Sequence, residues 1–236
     1  MEIKKLNFAQ NTIHGYGKQL THFLNFLFEY SYTQMFKINR EVKTRAEIKE
    51  KVIFSDADFS KIMKNLKKKN LNFVTAINLL AYTGLRPSDL MTIKAENIDL
   101  LNRTMRYYSP KRKKFREIAF HEKLVPILRK RIKEVRKGLI LNYNNTENFG
   151  RAIRRYMEVL NFKGKQYSAR TFRKTFISLC RSKYNMDASV VMELVGHEHL
   201  NTTDRYYNKI SFDVMKQELK KYVIPVVKEK KKKPGS

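Results

Sequence analysis

Residues 73–90 read FVTAINLLAYTGLRPSDL, and this stretch decides the fold. Its first ten residues are almost all apolar, which predicts a helix buried on every side. Gly84 can end that helix and Pro87 suits the first turn of a second one, so Arg86 is anchored by its backbone on both sides. Asp89 lies in the first turn of the second helix, where a carboxylate is favoured and can hold a neighbouring side chain. A bidentate phosphate clamp requires this geometry, although an ordinary helix corner with a solvated arginine would have the same sequence.

Helical patterns flank this stretch on both sides. Apolar residues recur at spacings of three and four over residues 11–30, and Ser55 can cap a helix that carries Phe59. Two short strands are expected at residues 106–109 and 115–120, joined by a basic turn. Further helices are expected over residues 124–135, 149–160, 168–184, 188–195, 202–208 and 212–222. The predicted fold is therefore mainly α with a small antiparallel β-sheet.

The chain is expected to have three parts. Residues 1–51 contain one convincing helix and a polar, basic linker, and are expected to form a short helical N-terminal segment. Residues 52–225 are expected to form the main domain. Residues 226–236 include a lysine-rich run and are expected to form a disordered basic tail.

The composition points to a polyanionic partner. The 236 residues include 50 Lys+Arg against 22 Asp+Glu, a formal net charge of +28, and a hydrophobic fraction of 42% that can supply a packed core. The single cysteine, Cys180, excludes an internal disulfide framework and a Cys-rich zinc site. No apolar run approaches the roughly 20 residues that span a bilayer. A cytoplasmic protein that binds nucleic acid and no membrane is therefore expected.

A second segment, residues 168–176, reads SARTFRKTF and predicts a basic helix face. Arg170, Arg173 and Lys174 are spaced so that one face of the helix presents three cations, while Phe172 and Phe176 turn towards the core. An anion between the three cations would remove their mutual repulsion. A solvated basic face is the alternative.

The basic turn between the two strands reads PKRKK over residues 110–114. It contains four cations in a row, Lys111, Arg112, Lys113 and Lys114. Such a turn can contact DNA phosphates, and nonspecific contact is its commonest use.

The last segment, residues 194–207, reads LVGHEHLNTTDRYY. His197 and His199 flank a glutamate and could suggest a metal site, but no third ligand of a suitable type lies nearby, so no metal is expected. A threonine can cap a short helix that carries Tyr206 and Tyr207.

Taken together and in this order, these segments resemble the tyrosine recombinase (phage integrase) family. The catalytic half of that family has a first arginine in T-G-[LM]-R-x-x-E/D-L and then a lysine on a β-hairpin. It continues with H-x-x-R followed by H-T-F, then L-G-H, and a tyrosine nine residues later. The resemblance covers roughly residues 52–222. The matching residues are Arg86 with Asp89, Lys111 when residues 116–118 are laid on the family's outgoing strand, Arg173, His197 and Tyr206.

The sequence departs from the family pattern in two places. Arg170 replaces the histidine of H-x-x-R, and arginine only donates hydrogen bonds, so an electrostatic role is expected there rather than base chemistry. Residues 1–51 are also short beside the family's core-binding domain of four or more helices. The substitution and the lysine-rich composition resemble integrases of archaeal viruses and plasmids.

The resemblance implies a site-specific recombinase that cuts and rejoins double-stranded DNA through a 3′-phosphotyrosine intermediate, integrating or excising a mobile element. Tyr206 would be the nucleophile, Arg86 and Arg173 would stabilise charge on the phosphate, Lys111 would protonate the leaving oxygen, and His197 would bind the phosphate. No cofactor is implied, and the partners would be a DNA attachment site and further copies of the chain, from dimer to tetramer. Two alternatives remain: a DNA-binding protein of this fold without cleavage activity, and a type IB topoisomerase.

Overall fold

The computed structural model describes residues 8–35, 47, 52–162, 166–196 and 210–225. The chain divides into two compact units, Met1–Lys51 and Val52–Ser236. Helices dominate the described part of both units, and the second contains a three-stranded antiparallel sheet, so the predicted fold class is confirmed. In the ranges described, no helix is both long and apolar enough to cross a bilayer.

The first unit contains the helix α1 (Gln10–Glu29), which confirms the helix predicted there. Its apolar side chains stay half-buried or exposed, and Gly17 is its one buried residue. The Asn11 side chain pairs with the Glu47 backbone, because its amide donates to the carbonyl oxygen at 3.3 Å and its oxygen accepts from the N–H at 2.9 Å. The apolar stripe of α1 therefore buries little surface within the described part of this unit.

The second unit is built around a helical core with the sheet at one side. Its α-helices in the described ranges are α2 (Asp56–Lys64), α3 (Leu71–Thr83), α4 (Pro87–Leu90), α5 (Val125–Val135), α6 (Thr146–Leu160), α7 (Ala169–Ser178), α8 (Ala188–Val195) and α9 (Phe212–Lys220). Its strands are β1 (Ile98–Asp99), β2 (Thr104–Ser109) and β3 (Lys114–Ala119). Short 3-10 turns lie at Asn65–Lys68, Ala95–Asn97 and Glu122–Leu124.

The buried helix predicted from the opening stretch is α3, and it forms the centre of the core. Ile77, Leu79 and Leu80 have no exposed surface, and α3 packs against α4, α5 and α7. The last of these helices contributes the fully buried rings of Phe172 and Phe176. Because α3 and α7 pack against each other in the core, the side chains at their ends are held by the rigid part of the protein.

Gly84 ends α3 in a left-handed conformation with φ of +60°, which glycine adopts at little cost. A methyl group at this position would also overlap the ring of Phe176. The position therefore needs glycine both for its backbone and for the close approach of α7. This turn delivers the chain directly to Arg86 and α4.

The sheet is a hairpin with one added strand. The predicted pair of strands is confirmed as β2 and β3, which pair from Thr104 opposite Ala119 to Ser109 opposite Lys114. The extra strand, β1, has two residues and is too short to show an alternating pattern in the sequence. Since β3 packs against α8 and α9, the hairpin stem is fixed to the core, and turn residues 110–113 lie at its far end.

One predicted helix changes its geometry near its end. Residues 168–184 were expected to form a single α-helix, but α7 ends at Ser178 and the chain widens into a π-turn at Leu179–Lys183. The N–H of Tyr184 donates to the carbonyl oxygen of Leu179, five residues back, at 2.9 Å. The wider turn redirects the chain towards α8. The helix predicted at 202–208 and the tail at 226–236 lie outside the described residues.

Candidate active site

Arg86 lies between the start of α4 and the end of α8. It is the N-cap residue of α4, with extended backbone angles of φ −69° and ψ 146°. Its Nη2 donates a hydrogen bond to the carbonyl oxygen of Gly196 at 3.1 Å. Its Nη1 lies 3.7 Å from Oδ2 of Asp89, and 21% of the side chain is exposed. The guanidinium is therefore held from two sides and still reaches solvent.

Asp89 joins the hairpin stem to Arg86. Its side chain is fully buried, and its Oδ1 accepts a hydrogen bond from Oγ of Ser109 at 3.0 Å. The Thr92 hydroxyl adds a second link, since it lies 2.7 Å from the Asp89 carbonyl oxygen and 2.5 Å from that of Tyr108. The carboxylate thus fixes the base of the turn that carries Lys111 relative to the first arginine. Ser109 could not be predicted as a partner of Asp89, because a serine at the end of a strand is common in any sequence.

Arg173 reaches the same turn from α7. Its Nη1 donates to the carbonyl oxygen of Gly84 at 2.9 Å, and its side chain is buried. Burial, and next the nearby positive charge of Arg86, lower the pKa of Arg173 to about 10. The guanidinium therefore stays charged at neutral pH but lies where a negative charge would be favourable.

The prediction that α7 presents three cations on one face was wrong. Arg173 is buried, whereas Arg170 and Lys174 are exposed. Arg173 lies four residues after the buried Ala169 and three before the buried Phe176, which is the spacing of the face that packs on the core. The helix therefore points one arginine inward and leaves two cations for the surface.

A third arginine in this region, Arg116, had no role assigned from the sequence. It lies on β3 directly opposite Tyr107, and its side chain is 4% exposed. Its Nη1 donates to Oη of Tyr107 at 2.8 Å, and its Nη2 donates to the carbonyl oxygen of Glu193 and, at 3.0 Å, to Oε1 of the same residue. Burial raises the pKa of Tyr107 to about 12, so its hydroxyl stays neutral. Strand alternation from the buried Ile118 places Arg116 on the core face, and that was the available signal.

The three arginines make the region strongly positive. Arg116, like Arg86, contributes to the lowered pKa of Arg173, so the three charges act on one another. The fully buried carboxylate among them is that of Asp89, while the side chain of Glu193 is 47% exposed. Within the described ranges, Nη1 of Arg86 and Nη2 of Arg173 are buried and have no hydrogen-bond partner. Nη1 of Arg86 faces Oδ2 of Asp89 at 3.7 Å, beyond hydrogen-bond distance. Two guanidinium groups with donors left over in this way can bind an oxyanion.

The other predicted site residues lie around this centre or beyond the described ranges. Lys111, Lys113 and Lys114 are exposed on the hairpin, and Arg112 is half-buried. His197 directly follows the last described residue of its segment, and both His197 and Tyr206 lie outside the described residues. Among the residues that are described, no three His, Cys, Asp or Glu side chains are grouped so as to hold a metal ion.

Comparison with known proteins identifies a family for most of this domain. The model of the phage integrase family matches residues 53–212, which is more than half of the chain. A tyrosine recombinase of Thermosipho africanus is 27% identical over 221 residues, covering 88% of this chain and 76% of that protein. A probable integrase/recombinase of Acholeplasma phage L2 is 28% identical over 166 residues, covering 67% of this chain and 56% of the phage protein.

Solved structures have the same fold. The integrase of the transposon Tn1549, determined in complex with transposon right end DNA, superimposes with a TM-score of 0.70 at 17% identity. The match covers 93% of this chain and 81% of that one. The family match over residues 53–212 and the ordered arginine, lysine, arginine, histidine and tyrosine motifs agree. The chain belongs to the phage integrase family, the tyrosine recombinases.

Proposed function

We propose that the protein cleaves and rejoins DNA at a specific site, with Tyr206 as the nucleophile and Arg86 and Arg173 as the groups that bind the scissile phosphate. Family membership makes the protein a DNA-cleaving and DNA-rejoining enzyme. The observation that supports the residue roles is the convergence of the two arginines on one turn, each with a buried Nη that has no hydrogen-bond partner in the described structure.

The two arginines suit a phosphate that gains charge during the reaction. Each is already fixed by a backbone carbonyl, Gly196 for Arg86 and Gly84 for Arg173, so little reorganisation is needed when substrate binds. Donors held in advance in this way stabilise developing charge far better than mobile ones, and losing one costs about 10²–10³-fold in rate. Asp89 keeps Arg86 in place and ties it to the hairpin.

The proposed cleavage step breaks one bond and forms one. Oη of Tyr206 attacks the phosphorus while the bond from phosphorus to the 5′ oxygen breaks. The tyrosine proton passes to water, and Lys111 gives a proton to the leaving 5′ oxygen, then regains one from solvent. The products are a 3′-phosphotyrosine and a free 5′ hydroxyl. Attack by a 5′ hydroxyl reverses the step and rejoins the strand, with His197 bonded to the phosphate throughout.

The remaining cations have supporting roles in this proposal. Arg170 stands where the family has histidine and would add positive charge beside the phosphate. Lys174 and the hairpin cations Arg112, Lys113 and Lys114 would contact the DNA backbone, because basic groups beside a site most often bind phosphates without reading sequence.

The proposed setting is a mobile genetic element acting in the cytoplasm of its host. The phage relative and the structure of a transposon integrase on DNA support this setting. A lambda integrase solved as a dimer on a core site supports assembly of several copies on DNA. In this arrangement residues 52–225 would form the catalytic domain and residues 1–51 a partial core-binding segment, with residues 226–236 as a basic tail.

A suicide substrate tests the proposal. The duplex carries a nick just downstream of the scissile phosphate. After cleavage the short fragment with the free 5′ hydroxyl dissociates, so the strand cannot be rejoined. The covalent protein–DNA adduct therefore accumulates and is seen on a denaturing gel. We expect an adduct on an attachment site of the element. Binding without any adduct would indicate a DNA-binding protein of this fold. Relaxation of any supercoiled plasmid, regardless of site, would indicate a topoisomerase.

A further inference from the structure

We propose that Arg116 is a positioning residue of the active site, which holds the turn at Gly196 and, through it, the adjoining His197. This inference rests on the proposed function, since it assigns Arg116 to the reaction described above. It differs from the roles of Arg86 and Arg173, because Arg116 acts on the protein rather than on the phosphate.

The guanidinium group of Arg116 is directed at neighbouring groups of the protein rather than at solvent. Its Nη1 is bonded to Oη of Tyr107, and its Nη2 is bonded to both the carbonyl oxygen and the carboxylate of Glu193. With 4% of the side chain exposed, it has little surface for DNA. Burying a guanidinium is unfavourable unless its partners satisfy it, so its position at this point of the fold needs a specific reason.

Arg116 is buried at this position because it caps the C-terminal end of α8. The carbonyl oxygen of Glu193 belongs to the last turn of α8, where it accepts from the N–H of Gly196 at 3.2 Å and also from Nη2 of Arg116. A cation there also interacts favourably with the helix dipole. The helix ends at Gly196 in a left-handed conformation with φ of +70°.

Gly196 is enclosed between two arginines. On one side its carbonyl oxygen accepts a hydrogen bond from Nη2 of Arg86 at 3.1 Å. On the other side a methyl group at Gly196 would overlap Nη1 of Arg116. The peptide that leads into His197 is therefore placed by Arg116 against the arginine that binds phosphate. Loss of Arg116 would free this turn, and a displacement of about 1 Å at a reacting group can cost about 10²-fold in rate.

The test is a double-mutant cycle on single-turnover cleavage of the suicide substrate at saturating protein. We expect Arg116→Ala to lower the rate by about 10²-fold while DNA affinity changes little. In a His197→Ala background the same substitution should lower the rate less than about 5-fold, because residues that act as one unit are not additive. A full further loss of about 10²-fold in that background, or an unchanged rate for Arg116→Ala alone, would overturn the inference.

Two further variants guard against a simple folding defect. Glu193→Ala removes one partner of Arg116 from an exposed position, and we expect a smaller fall in the saturated rate that also vanishes in the His197→Ala background. Arg131→Ala is the matched control, because Arg131 is equally buried and bonded to Ile140, Glu134 and Asn72 but belongs to α5. It should lower the unfolding temperature without lowering the saturated cleavage rate.

Two kinds of failure can be told apart. If the wild-type protein forms no adduct, the proposed function fails. If the wild-type protein does form the adduct and Glu193→Ala cleaves at the wild-type rate, only the inference about Arg116 fails.

Discussion

At the scale of single residues, the proposed chemistry depends most on one hydroxyl group. Tyr206→Phe should bind DNA as tightly as the wild-type protein and form no covalent adduct, because only the attacking oxygen is lost. Tyr207→Phe is the control and should form the adduct, since its ring is expected to pack in the protein. Gel detection of the adduct and a binding titration measure both properties. The reverse pattern would mean that the nucleophile lies ten residues after His197 rather than nine.

Arg170 gives the second prediction at this scale. It is exposed on α7 one turn before the buried Arg173, so it can reach either the scissile phosphate or the DNA backbone beside it. If it acts on the scissile phosphate, Arg170→Ala should lower the saturated single-turnover rate by about 10²–10³-fold. Arg170→Lys should keep part of the rate because a cation remains, and Arg170→His should be tolerated.

The matched control for Arg170 is Lys174→Ala, which removes an exposed cation of the same helix. It should weaken DNA binding and leave the saturated rate unchanged. If Arg170→Ala behaves in the same way as this control, Arg170 contacts only the backbone of the DNA and is removed from the active site.

At the scale of elements, the turn between α3 and α4 is the most constrained connection. Gly84→Ala should destabilise the protein on two counts: the left-handed backbone costs an alanine about 1–2 kcal/mol, and the overlap with Phe176 adds about 1–3 kcal/mol. Gly138→Ala should show only the first cost, because Gly138 has φ of +92° and no atom lies within 4 Å of an added methyl group. Urea unfolding measures both changes. Equal losses would mean that α7 does not press against this turn.

Elements with a long repeating pattern could be predicted from the sequence, and short ones could not. The apolar run of α3 and the stripe of α6 span three or more turns, so their periodicity is clear. In contrast, β1 has two residues and exists only because β2 pairs with it. The π-turn after α7 has five residues, which are too few to show a period different from that of an α-helix.

The residues of the candidate site also differ in whether the sequence alone could predict them. Motif order predicts Arg86, Asp89 and Arg173 as site residues, because each occurs at a fixed spacing from a recognisable turn or apolar stripe. The same order gave no information on Arg116 or Ser109, whose importance comes from partners about 80 and 20 residues away in the sequence, Glu193 and Asp89. Positioning residues of this kind depend on contacts between distant segments, which a single sequence does not show.

At the scale of the whole molecule, the net charge of +28 should govern DNA affinity. Each phosphate that the protein neutralises adds about −0.9 to the slope of log K against log salt concentration for duplex DNA. Fluorescence anisotropy at a series of salt concentrations measures this slope. We expect a steep dependence, and a slope shallower than about −3 would contradict a protein that wraps its duplex.

The closeness of Arg86 and Arg116 to the buried Arg173 also has a consequence for how long each copy of the protein survives. Burial first, and then the charge of Arg86, lower the pKa of Arg173, so the folded state without DNA bears a cost that the unfolded chain does not. A bound DNA phosphate would offset part of this cost, and binding stabilises the folded form by mass action. Proteases act on the fraction of molecules that open. Copies that are not on DNA should therefore be degraded first, so the cellular lifetime of the enzyme would follow the number of sites available to it.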